Sequence, residues 1–166
     1  MPPDPGHFEL KTPRQLFNKM VRDANRIAKY PADSDACFNF FVTAEHMVDW
    51  LLPGDHNKTA RSALRSDPVL KICSQLANGA KHFQTLDKRH KSITGTNYTY
   101  STRITFDGEQ QQPQEPSVEF VIELEAAEAA ALGVQSLTVR QLVTRILDFW
   151  EPRVKHLPMF VDTRKG

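Results

Sequence analysis

Residues Thr96–Phe106 read TNYTYSTRITF, a run rich in threonine and tyrosine. β-Branched and aromatic side chains suit a pleated surface, so this stretch reads as a strand. A second run, Ser117–Leu124, alternates Val118, Phe120, Ile122 and Leu124 with polar or smaller neighbours, which is the period of a half-buried strand. The two predict an antiparallel hairpin over 94–125. Their connection, DGEQQQPQEP (107–116), is long and polar, and it predicts a mobile loop.

Before this pair of runs the chain reads as helix. Thr12 followed by Pro13 is a cap-and-proline start signal. Leu16, Met20, Ala24 and Ile27, flanked by Phe17 and Val21, then recur at helical spacing as far as Tyr30-Pro31. Asp33 or Ser34 can cap a second helix through ACFNFFVTAEHMVDWLL to Pro53-Gly54. That helix is apolar around most of its circumference and reads as the central one. DHNKTARSALRS reads as a short helix, and Asp67-Pro68 opens a third long one. Its apolar face carries Val69, Ile72, Cys73, Leu76, Ala80 and Phe83. Beyond the hairpin, EAAEAAALG reads as a helical turn or short helix, and Ser136–Glu151 as a last helix stopped by Pro152. The sum is an α+β fold: a mainly helical bundle of three to four long helices with an antiparallel hairpin inserted before the last. It forms one domain over 13–166 behind an extended, proline-rich arm over 1–12. Its parts are a helical region (13–92), the hairpin (94–125) and a C-terminal helix (136–151).

Composition narrows the function classes. The 166 residues are 40% hydrophobic and 25% charged, with a net charge of +1, so no global field draws the chain to nucleic acid or membrane. No window approaches a membrane span and no leader is visible, which predicts a cytoplasmic protein. Cys37 and Cys73 lie within apolar helices and read as buried thiols, with an interhelical disulfide as the alternative. His7, His46, His56, His82, His90 and His156 show no metal-ligand spacing. Neither a metal nor another cofactor is expected.

Two polar stripes could carry chemistry. On the second helix Asn39, Thr43 and His46 share one row, with Glu45 and Asp49 beside it. They read either as a cleft network with His46 as acid or base and Asp49 as its carboxylate, or as side chains satisfied by water and neighbouring helix ends. On the third long helix, stepping about 100° per residue from Leu76 puts Asn78 near 200° and His82 near 240°, opposite the apolar face. Lys81 stands at the flank, and Gly79 would permit a close helix crossing. This set suits a phosphate or RNA backbone, or is simply a solvated face. Charge is also uneven. Lys81, Lys88, Arg89, Lys91 and Arg103 face one acid, Asp87, with His82, His90, Tyr98 and Tyr100 interleaved. That pattern is a phosphate-and-stacking surface. From Asp107 to Glu128 there are seven acids and no Lys or Arg, so the two segments could also neutralise one another.

The sequence ANGAKHF, 77–83, resembles the motif of the helical HEPN superfamily: an arginine, commonly followed by a polar residue, then a histidine four to six residues beyond the arginine. Asn78 matches the polar position, His82 the histidine, and Ala77 stands where the arginine belongs. The resemblance spans roughly residues 12 to 90 and omits the hairpin and last helix. It implies a helical domain that pairs as a homodimer and an RNA-facing cleft, in a bacterial or phage defence or toxin system. With alanine for arginine, it implies a non-catalytic interaction protein with an RNA or protein partner. The alternative is a metal-independent endoribonuclease with His82, Asn78 and Lys81 at its centre.

Overall fold

The computed structural model describes residues 10–81, 92–101, 104–107, 110–113 and 117–159. Among these, four long helices form the body: α1 (Pro13–Lys29), α2 (Ser34–Leu51), α4 (Pro68–Lys81) and α6 (Val139–Val154). A 3-10 turn (Asp55–Asn57) leads into the short α3 (Lys58–Arg65), and α5 (Ala126–Leu132) is short as well. Strands β1 (Ile93–Ser101), β4 (Ser117–Leu124) and β5 (Ser136–Thr138) make an antiparallel sheet in the order β1-β4-β5. β2 (Ile104–Asp107) and β3 (Gln110–Pro113) pair with each other. The fold is α+β.

The helix starts follow their sequence signals. Thr12 caps α1: its Oγ1 accepts the Gln15 backbone N–H at 3.2 Å, and Gln15 Oε1 accepts the Thr12 N–H at 3.1 Å, a reciprocal capping box. Asp33 caps α2 through a 3.0 Å bond from the Ala36 N–H. The Asp67 carboxylate receives the Val69 N–H at 2.9 Å as α4 begins. Helix α2 packs on both α1 and α4, and α6 packs on the same two. Met20, Ile27, Phe40, Met47, Leu70, Ile146 and Trp150 are wholly buried between them, and each such side chain contributes about 1.5–3 kcal/mol over its exposed state. Cys37 and Cys73 are both buried and both free thiols.

In four places the fold departs from the pattern in the sequence. The run Thr96–Phe106 divides between β1, which begins at Ile93, and β2, which pairs with β3 in a separate sheet. The polar 107–116 connection supplies β3, registered Ile104↔Pro113 to Asp107↔Gln110. A polar ribbon meets its hydrogen-bonding needs through the backbone, so apolar periodicity says nothing of it. Ser136–Thr138 belongs to a third strand, with Leu137 opposite Ile122 and 2% exposed. Helix α6 starts only after Thr138, its N-cap, in a second capping box with Gln141. Finally, α6 runs through Pro152 to Val154. The proline removes one helical hydrogen bond, but Val154 is wholly buried and its carbonyl accepts from Arg14 Nη1 at 3.2 Å. Tertiary packing holds the last turn that local sequence would end.

Candidate functional site

Helix α4 buries Val69, Leu70, Ile72, Cys73 and Ala77, while Leu76 is half-buried. Leu70, Cys73 and Ala77 are spaced three and four apart, so they define the face turned to the core. Ala77 therefore points inward, at 0% exposure. Its neighbour Asn78 is half-buried and bound to its own helix, with Nδ2 donating to the Ser74 carbonyl at 2.7 Å and to Ser74 Oγ at 3.3 Å. Among the described residues Gly79 makes no close crossing: a Cβ there would meet nothing within 4 Å. Gln75 ties the returning chain to α4. Its Oε1 accepts the N–H groups of Ser92 at 2.6 Å and Ile93 at 3.0 Å, and its Nε2 donates to the Ile93 carbonyl at 3.3 Å. Lys81 is the last residue of α4. His82, Lys88, Arg89, Lys91 and Arg103 lie outside the described residues.

The polar positions on α2 separate in three directions. Thr43 is buried against α1, its hydroxyl donating to the Asn39 carbonyl at 2.6 Å and accepting from Lys19 Nζ at 2.8 Å. Lys19 also pairs with Asp23 at 2.7 Å. His46 is exposed. Glu45 and Asp49 reach across to α3: Arg65 Nε bonds Glu45 Oε1 at 2.9 Å and Arg65 Nη2 bonds Asp49 Oδ2 at 3.0 Å. Arg61 lies 3.5 Å from Asp49 Oδ1 and donates to the carbonyls of Leu52 at 2.8 Å and Gly54 at 2.7 Å. Burial opposes the Arg65 charge, but the Glu45 and Asp49 carboxylates outweigh it and raise its pKa. Asp49 is thus held by two guanidinium groups.

Arg61 and Arg65 did not emerge as site residues from the sequence, although a signal was there. They are four apart on one helix, as Glu45 and Asp49 are on another, and matched i, i+4 pairs of opposite sign can clasp two helices.

The hairpin carries the remaining candidates. On one face of the sheet Tyr98 is opposite Phe120 and Thr96 opposite Ile122; on the other Asn97 is opposite Val121 and Thr99 opposite Glu119. Tyr98 is 60% exposed, with its ring centroid 4.9 Å from that of Phe120. Tyr100 is registered against Val118 on the same strand pair. No family model, curated protein or solved structure matches this chain.

The remaining polar groups serve the architecture. Glu119, buried, takes three bonds from Arg140: from the backbone N–H at 3.1 Å, Nε at 3.0 Å and Nη2 at 2.7 Å. Burial would raise its pKa, but the Arg140 hydrogen bonds prevail and lower it. Glu128, also buried, accepts from Ser92 Oγ at 3.3 Å and lies 3.9 Å from Lys71 Nζ. Burial pushes the Cys37 thiol up to about 11, and pushes Cys73 well above the ordinary thiol value, with Glu45 adding to it; neither is a poised nucleophile. Among the described residues no group of three His, Cys, Asp or Glu could hold a metal ion, and no helix is long and apolar enough to cross a membrane.

Proposed function

We propose that the protein is a HEPN-like interaction module that does not cleave RNA and that holds a nucleic-acid partner as a homodimer, in a bacterial or phage system. The observation that carries the non-catalytic half is the burial of Ala77. Cleavage of this kind needs a fixed donor on the charge that develops at the phosphate, and the motif position for that donor faces the core. Asn78, bonded to Ser74, and Asp49, clasped by two arginines, support the same reading.

The nucleic-acid half rests on the basic and aromatic run from Lys81 to Arg103 and on the exposed Tyr98 ring beside Phe120. Aromatic faces stack bases without regard to sequence, and lysines and arginines offset phosphate charge. Purified protein should leave RNA intact in the absence of metal, and should retain it at low salt with affinity falling as salt rises. Metal-free cleavage that disappears in His82→Ala would replace this reading with the ribonuclease. Absence of binding at low salt would remove the nucleic-acid partner.

A further inference from the structure

We propose that the outer face of α1 holds a single-stranded nucleic acid, with Arg22, Arg26 and Lys29 on its phosphates and the Tyr30 ring stacked on a base. This rests on the nucleic-acid half of the proposed function and gives that partner a surface on α1, separate in sequence from the Lys81–Arg103 run.

Helix α1 buries Leu16, Phe17, Met20, Ala24 and Ile27 and packs on α2 and α6. At about 100° per residue, Arg22, Arg26 and Lys29 fall within about 60° of one another on the opposite side, along about 10 Å of helix axis. All three are exposed. A helix C-terminus favours cations in its last turn, which accounts for Arg26 and Lys29. It does not account for Arg22, one turn earlier, which meets no carboxylate among the described residues. The acids on this side are already engaged. Asp23 pairs with Lys19 at 2.7 Å, and Asp33 accepts the Ala36 N–H on Oδ1 at 3.0 Å and Arg26 Nε on Oδ2 at 2.7 Å. That last bond orients the Arg26 guanidinium through Nε and leaves its two terminal nitrogens to donate to a phosphate. Lys29 Nζ lies 5.1 Å from the centroid of the Tyr30 ring, and the ring is 55% exposed. Whereas Thr43 and Asn78 turn their polar groups to the protein, this row faces solvent.

The make-up of the face selects the partner. A protein partner builds its contact around a desolvated apolar centre. Here the ring stands at the end of the row, and Asn25 and Ala28 are the exposed residues between the cations. A membrane would need the apolar side of α1 to insert, and that side is buried in the core. A nucleic acid needs neither, because phosphates bind exposed cations and bases stack on an exposed ring. The ring also decides strandedness: a base can lie on Tyr30 only when it is free of a duplex stack.

Fluorescence anisotropy of a labelled oligouridylate, titrated with the full chain at several salt concentrations, tests this. The triple variant Arg22→Gln, Arg26→Gln, Lys29→Gln should weaken binding on the order of tenfold. It should also flatten the slope of log affinity against log salt by about 2, at about 0.7 per phosphate of a single strand. The double variant Arg22→Gln, Lys29→Gln keeps the Arg26–Asp33 pair and should flatten the slope by about 1.4. Tyr30→Leu should weaken binding on the order of tenfold with the slope unchanged. Lys58→Gln with Lys155→Gln, which removes two exposed cations from elsewhere, should change affinity and slope much less. A wild type that binds while the α1 variants match it, or lose no more than the Lys58 and Lys155 variant, overturns this surface and leaves the nucleic-acid reading standing. Displacement by an RNA duplex or by polyglutamate as effective as by unlabelled oligouridylate overturns the single-stranded partner. No binding by the wild type at low salt removes this surface and that reading together.

Discussion

The helical body buries Phe17, Phe40, Phe41 and Trp150 and exposes Tyr30 and Phe38, whereas the outer half of the hairpin carries Tyr98 on its surface. Phe40 and Trp150 are wholly buried among helices, while Tyr98 stands 60% exposed on a strand whose other side pairs with nothing described. In the body, polar groups serve the architecture: Asn78 bonds to Ser74, Thr43 accepts from Lys19, and Asp49 joins α2 to α3. In the hairpin, Tyr98 is exposed, and among the described residues no strand pairs with the outer side of β1. The body therefore holds most of the buried aromatic core, and the hairpin presents an exposed ring.

The sharpest way to break this comparison is Ala77→Arg, which introduces an arginine at a position that faces the core. It places a charge in the core with no partner, at a cost of about 3–5 kcal/mol. Circular dichroism should show an unfolded or aggregated protein; a stably folded one would mean that Ala77 does not face the core. Trp150→Ala should cost about 3–5 kcal/mol in urea denaturation, whereas Tyr98→Ala should cost about 1 kcal/mol or less. Equal losses would erase the distinction between body and hairpin.

Glu119 joins the two regions, and Glu119→Gln should cost about 1–3 kcal/mol, moderated because Arg140 is 42% exposed. Its folded pKa is lowered, so the pair's contribution is present above the unfolded glutamate value of about 4.3 and lost as pH falls from there through the folded value. The variant's deficit in melting temperature should therefore shrink below about pH 4.3; a deficit that stays constant through acid would mean the carboxylate charge is not what matters. The smallest effect has the opposite sign. Gly79→Ala should stabilise the protein by about 0.5–1 kcal/mol, since a Cβ there meets nothing. A loss of stability would mean that the glycine serves a close approach after all.

Much of the fold was legible in the sequence. The starts of α1, α2 and α4 follow local capping chemistry at Thr12, Asp33 and Asp67, and the β1–β4 pair follows from strand periodicity. What escaped depends on distant partners. β5 shows only when Leu137 meets Ile122, and α6 outlasts Pro152 only because Val154 has a core to enter. The capping box of Thr138 and Gln141 could have marked the true start of α6. The candidate site was less legible. Spacing grouped His46 with Asn39 and Thr43, but tertiary packing turns Thr43 to α1 and leaves His46 exposed. On α4 the expected face residues Val69, Ile72 and Cys73 are buried, and so are Leu70 and Ala77, which the pattern in the sequence left out.

By itself the sequence determined where helices begin, which runs become strands and which residue types can enter a core, because caps, proline geometry and apolar period act within a few residues. Only the tertiary structure decided which side of α4 turns inward, which carboxylates meet which arginines and which strand is left at an edge. Those outcomes depend on the elements that pack alongside, and no local stretch of chain contains that information.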